Sequence, residues 1–200
     1  VVAASDVYKR QGSGWRDEPL YTQNFPLKCG KGSAYEGGIR EPMIVRWPGT
    51  VQPGTRCNDY LIIEDFYPSI LEMAGIDDYD VPQEIDGISF VPLLKQTKNH
   101  SQGRSLYWNC PNIWGEKGPG IGPSCTIRKD NWKMIYFYET GEKELYDIPN
   151  DTEENNNVAA LYPQIINKLS KELGKFLRQT NGQRPSFKKT GKPCPWPDEI

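Results

Sequence analysis

Lys28-Cys29-Gly30-Lys31-Gly32-Ser33-Ala34-Tyr35-Glu36-Gly37-Gly38-Ile39-Arg40-Glu41-Pro42 is the stretch whose reading decides the rest of the chain. One lysine stands between two glycines, and a second glycine pair, an arginine and a proline follow closely. Glycines without Cβ atoms let a backbone turn sharply and approach a ligand. A lysine held there offers a compact ammonium with three donors, a good partner for a tetrahedral anion. A phosphate-binding P-loop is a poor fit. Gly32, not Ser or Thr, follows Lys31, and the glycine expected ahead of it is missing.

Outward from this stretch, composition sets bounds. Two hundred residues make one domain or a pair of small ones. Hydrophobic content is a modest 36%, but a 12% aromatic share with six Trp argues for a packed chain rather than disorder. Net charge is −2 with both signs mixed, so no basic block is present to track nucleic acid. No apolar run approaches a membrane span. The five cysteines, Cys29, Cys57, Cys110, Cys125 and Cys194, form no C-x-x-C pair, which argues against a zinc site. Cys110 and Cys125 bracket a Pro/Gly-rich segment that a disulfide would close in an oxidising compartment. Reduced, partly buried thiols are the other reading.

The pattern then divides. Residues 12–26 read as a loop, with Trp15, Tyr21 and Phe25 as anchors. Residues 42–47, an apolar run stopped by Pro48-Gly49, predict a buried strand. A second apolar run, 60–63, leads to Asp65 as a helix N-cap. The helix carries Phe66, Ile70, Leu71 and Ala74, with Pro68 in its first turn and Gly75 as its stop. Residues 86–94 form a turn and a short apolar element. Beyond a polar linker, 105–108, 125–128, 132–138 and 144–148 read as strands, with a turn at Thr140-Gly141. Residues 160–179 predict a helix with the apolar stripe Leu161, Ile165, Leu169, Leu173 and Phe176, and Pro163 in its first turn. From Gly182 the Lys/Pro-rich end is left without structure.

The lysine stretch resembles the signature of the sulfatase family, and its Cys-Gly-Lys-Gly start is most like the arylsulfatases. Thr126-Ile127-Arg128-Lys129-Asp130-Asn131-Trp132-Lys133-Met134-Ile135 and Glu144-Leu145-Tyr146-Asp147-Ile148-Pro149-Asn150-Asp151-Thr152-Glu153-Glu154-Asn155 resemble the family's C-terminal strand pair and acidic turn before a final helix, in the family's order. The resemblance runs from about Trp15 to Arg178. It implies an α/β, alkaline-phosphatase-like fold, truncated. Residues 12–98 would be the end of a large α/β domain, 99–180 a C-terminal antiparallel sheet with a packed helix, and 181–200 a tail. Residues 1–11 resemble the translation of a sequencing adaptor and are set apart as non-native. Ser5-Asp6 only mimics the start of the family's Ser-Asp-Asn-Gly metal motif, because Val7 follows where asparagine is expected.

Sulfatases hydrolyse sulfate esters with a formylglycine made in a Cys/Ser-x-Pro-x-Arg motif, and a calcium ion polarises the sulfate. None of the five cysteines is followed by that Pro and Arg. The resemblance therefore implies a fragment whose nucleophile and calcium ligands lie upstream. It is expected to be inactive alone, with no metal ligand of its own. Lys31 matches the family lysine that binds the substrate sulfate, and it is the one catalytic and substrate-binding residue carried over. Glu36, Arg40 and Glu41 are read as ion pairs holding the loop against the following strand. Trp15, Arg16 and Asp17 are read as a surface loop, with a leaving-group subsite as the alternative. His100 and the turn Asp77, Asp78, Asp80 are read as solvated. Asn99-His100-Ser101 and Asn150-Asp151-Thr152 match the glycosylation sequon. The implied parent is a sulfuric ester hydrolase acting on a sulfated glycan or aryl sulfate, periplasmic or extracellular. Alternatives are a phosphodiesterase or phosphonate hydrolase of the same superfamily, and a non-catalytic module that binds sulfated glycan.

Overall fold

The computed structural model describes residues 24–76, 78–96, 103–113 and 118–200. The expectations for residues 1–23, Asp77, and Asn99 to Ser101 with His100 lie outside them. The described residues fall into two compact units: Met43–Arg104, and residues 24–42 together with Ser105–Ile200. The lysine stretch groups with the C-terminal sheet, not with the residues that follow it.

In the second unit, β1 (Ser105–Cys110), β2 (Ser124–Lys129), β3 (Trp132–Phe137) and β4 (Lys143–Asp147) form an antiparallel sheet in chain order. All four expected strands are present. Gly141 takes φ 74° in the β3–β4 turn, where Thr140-Gly141 was expected. Side chains alternate across a pleated sheet, and here both faces are covered. Cys125, Ile127, Met134, Tyr136 and Leu145 face the helix α4 (Pro163–Gln179). Ile135 and Tyr146, one position out of phase, face the lysine stretch and pack with Tyr35.

Two expectations change in this unit, and one of the two cysteine readings, the reduced one, holds. The α4 stripe is shifted: Leu161 is 71% exposed, and the buried line is Ile166, Leu169, Ser170, Leu173, Gly174 and Leu177. Pro163 opens the helix, so Leu161 precedes it and the stripe takes its phase from inside the helix. The end of the chain is packed, with Cys194 and Trp196 buried against α4 and the sheet. Gly174 permits this, because a Cβ there would sit 2.1 Å from Asp198 Oδ1. No disulfide forms, and all five cysteines are free. Cys125 pairs with Asn109 and Cys110 with Ser124, so the two thiols point to opposite sheet faces.

In the unit Met43–Arg104, Asp65 is the hub. It is fully buried, paired bidentately with Arg104 at 2.6 and 2.7 Å, and accepts the amides of Ile62 and Ile88. Asp65 stands at the N-cap position of α2 (Phe66–Met73), yet its carboxylate makes no capping bond to that helix. Gly75 follows at φ 71°, as expected of a stop. A short helix α3 (Val91–Leu94) buries Phe90 and Val91. The expected strand at 42–47 does not form. The backbone there is extended, but Ile44 is 68% exposed and no strand pairs with it among the described residues. An extended segment becomes a strand only through a ladder partner.

Candidate functional site

Lys31 stands in a tight loop braced in part by local hydrogen bonds. The Ser33 amide donates to the Gly30 carbonyl at 3.1 Å, and the Tyr35 amide to Ser33 Oγ at 3.0 Å. Gly32 takes φ 87°, a region open to glycine. The loop closes into a single helical turn, α1 (Glu36–Ile39), whose Gly37 amide donates back to the Lys28 carbonyl. Here the glycine pair is obligatory. A Cβ on Gly37 would lie 2.3 Å from the Cys29 carbonyl oxygen, and one on Gly38 2.1 Å from that of Ser33. Cys29 itself takes φ 60°, and burial pushes its thiol pKa up.

Beside this loop lies an open cleft of about 330 Å³. Lys31 and Ser33 stand on one wall, Ser124 and Thr126 of β2 and Trp108 of β1 line it from the sheet, and Asn112 comes from the β1–β2 connection. The register explains this lining. Trp108 is opposite Thr126 and Cys110 is opposite Ser124, so all four share one face. The Ala34 amide donates to the Gly120 carbonyl at 2.9 Å and ties the same connection to the loop. A cationic side chain and three hydroxyls beside an indole suit an anionic, hydroxylated ligand.

Behind the cleft is a buried ionic network. Lys133 Nζ, fully buried near the start of β3, lies 3.0 Å from Glu36 Oε1 and 2.8 Å from Glu154 Oε1. Arg128 on β2 approaches Glu36 Oε2 at 3.4 Å, and Arg40 at 3.7 Å. The Glu36 amide donates to Glu154 Oε2 at 2.5 Å. Burial pushes the Glu154 carboxyl pKa up, with Lys133 pulling the other way. Lys28 donates to the Glu154 carbonyl at 2.9 Å and sits 4.0 Å above the Tyr35 ring. Tyr35 and Tyr146 both donate to Glu144 Oε2 at 2.9 Å.

The expected ion pairs of Glu36 and Arg40 therefore exist, but Glu36 reaches β2 and β3 rather than the following stretch. Glu154, Lys133, Arg128 and Lys28 were not singled out from the sequence. Lys133 carried a signal, a lone charge inside an apolar strand, which burial tolerates only when paired. Glu154 carried none, being one of several acidic residues in a polar turn. Among the described residues no group of three or more His, Cys, Asp or Glu is placed to hold a metal ion. The described side chains thus do not fit a calcium site.

Residues 29–180 match the family described as N-sulphoglucosamine sulphohydrolase, C-terminal. The chain belongs to the sulfatase family. A sulfatase from Formosa agariphila is 29% identical over 189 residues, covering 88% of this chain and 34% of that protein. Human arylsulfatase K is 30% identical over 148 residues, covering 72% of this chain and 26% of its own length. Among solved structures, Ps i-CgsB in complex with k-i-k-neocarrahexaose superposes with a TM-score of 0.66 at 29% identity, over 83% of this chain and 34% of that one. The chain thus spans about a third or less of the relatives it matches. The sulfatase-like fold, an antiparallel sheet with its packed helix in the C-terminal region, agrees with the sequence reading.

Proposed function

We propose that this chain supplies the sulfate-contacting lysine, Lys31, and its supporting sheet to a sulfatase that hydrolyses sulfate esters of glycans or small aryl compounds. The observation that carries the reading is Lys31 on a braced, glycine-built loop at the wall of an open cleft, in a chain that belongs to the sulfatase family. The lysine offsets charge on the sulfuryl oxygens, more strongly as charge moves toward the leaving oxygen. Trp108 and the hydroxyls of Ser33, Ser124 and Thr126 stand where the body of a sulfated sugar would extend. The oligosaccharide in the Ps i-CgsB complex supports a glycan, and the likeness to arylsulfatase K keeps aryl sulfates in view. Family membership implies a formylglycine nucleophile and a metal ion. We place both upstream, in the part of the parent that this chain does not cover, and the parent in the periplasm or outside the cell. The test is hydrolysis by the full-length parent of matched sulfate esters, phosphodiesters and phosphonate monoesters. Preference for the sulfate ester supports the reading, and preference for either phosphorus ester refutes it. The 200-residue chain alone should release no sulfate.

A further inference from the structure

The residue that holds the Lys31 loop lies far from it in sequence. Glu154 is fully buried, and three of its oxygens are engaged. Oε2 accepts the Glu36 amide, Oε1 faces Lys133, and the main-chain carbonyl accepts from Lys28 Nζ. Lys28 precedes Lys31 and Glu36 follows it, so one residue fastens both flanks of the loop. Glu154 pays for this position with a left-handed backbone, φ 53°, which disfavours a residue with a Cβ. The turn around it is set by Asp151, whose two carboxylate oxygens accept the amides of Asn155 and Asn156.

We propose that Glu154 is a positioning residue for Lys31, fixing through both flanks of the loop where the ammonium meets the sulfate. This rests on the reading of Lys31 given above. Glu154 touches no substrate. A lysine on a flexible four-carbon stem stabilises developing charge only from a preorganised backbone, and a site lacking its supporting contacts loses rate through small displacements.

The test has two arms. In the 200-residue chain, amide hydrogen exchange is compared for wild type, Glu154→Gln and Glu154→Ala. Gln keeps an acceptor for the Glu36 amide but gives up the charge facing Lys133, and Ala gives up both. Protection of the Glu36, Gly37 and Gly38 amides should fall about tenfold in Gln and about a hundredfold in Ala, the range for losing a charge-assisted hydrogen bond. Met134 and Ile135 on β3 should lose less than the loop amides, because Lys133 keeps Glu36 as a partner in both variants. In the full-length parent, Glu154→Gln should lower kcat more than it changes KM, and should add nothing once Lys31 is already alanine. Unchanged loop protection overturns the proposal. So does an equal loss of rate with and without Lys31, or a loss of protection in β3 as large as that of the loop. If Lys31→Ala alone leaves the rate intact, the reading of Lys31 fails while the exchange result stands, so the two failures are told apart.

Discussion

A fully buried lysine in a strand needs a reason, and at Lys133 the reason is two carboxylates. Its ammonium is fully buried between Glu36 and Glu154. Such an arrangement gains little net stability over an apolar one, but losing one member leaves its partners charged and dry. Lys133→Met should therefore destabilise the sheet unit by about 3–5 kcal/mol, read from urea denaturation followed by tryptophan fluorescence. A loss below about 1 kcal/mol, the size of an exposed pair, would mean that the network is solvated. Asp65 makes a second residue-scale prediction in the other unit. Burial alone would raise its pKa, but the Arg104 hydrogen bonds and the amides of Ile88 and Ile62 outweigh that and hold it below its ordinary 3.8. A depressed carboxylate contributes stability that is complete above the unfolded pKa and is lost as pH falls through the folded one. Wild type should thus lose stability in the window below pH 3.8 more steeply than Asp65→Asn. Parallel acid titrations of the two proteins would contradict the assignment. Neither residue's partner could be read in advance, because Arg104 and Glu154 reach their places through tertiary folding rather than through local pattern.

At the scale of elements, periodicity was legible wherever a local partner exists. The four strands needed only alternation and a turn, and each hairpin supplies the neighbour that makes a strand a strand. The run at 42–47 has the same composition but no ladder among the described residues, so composition alone misled. Helix α4 was visible from its spacing, but its phase was not. Leu161 looked like the first rung of a stripe that begins inside the helix. Leu173→Ala should cost about 2–5 kcal/mol as a fully buried leucine. Leu161→Ala, at a position 71% exposed, should cost under about 0.5 kcal/mol. Comparable losses at the two positions would restore the unshifted stripe. The chain's end escaped notice for a different reason. Its Lys and Pro content reads as disorder, yet Trp196 is buried beside Tyr138, and Arg184 lies 4.8 Å from its ring. One aromatic anchor outweighed the surrounding composition.

At the scale of the whole molecule, the sheet has two working faces. One carries α4 and the packed end of the chain, and it answers for stability. The other carries the lysine loop, the buried ions and the wall of the cleft. The motif around Lys31 could be recognised from its own residues, but its attachment could not. The loop was read as part of residues 12–98, and it groups with the C-terminal sheet because Glu36 finds its charges on strands far downstream. On the function proposed above, the chain's contribution is a single ammonium, that of Lys31, offered to an anion. The most direct measurement is kcat/KM for sulfate-ester hydrolysis by the full-length parent carrying Lys31→Ala, taken together with Tm. The account predicts a loss of about 100- to 1,000-fold, the scale of one preorganised charge-stabilising group, with Tm unchanged because the side chain belongs to no core. Wild-type kinetics, or a fall in Tm that accounts for the lost activity, would contradict it.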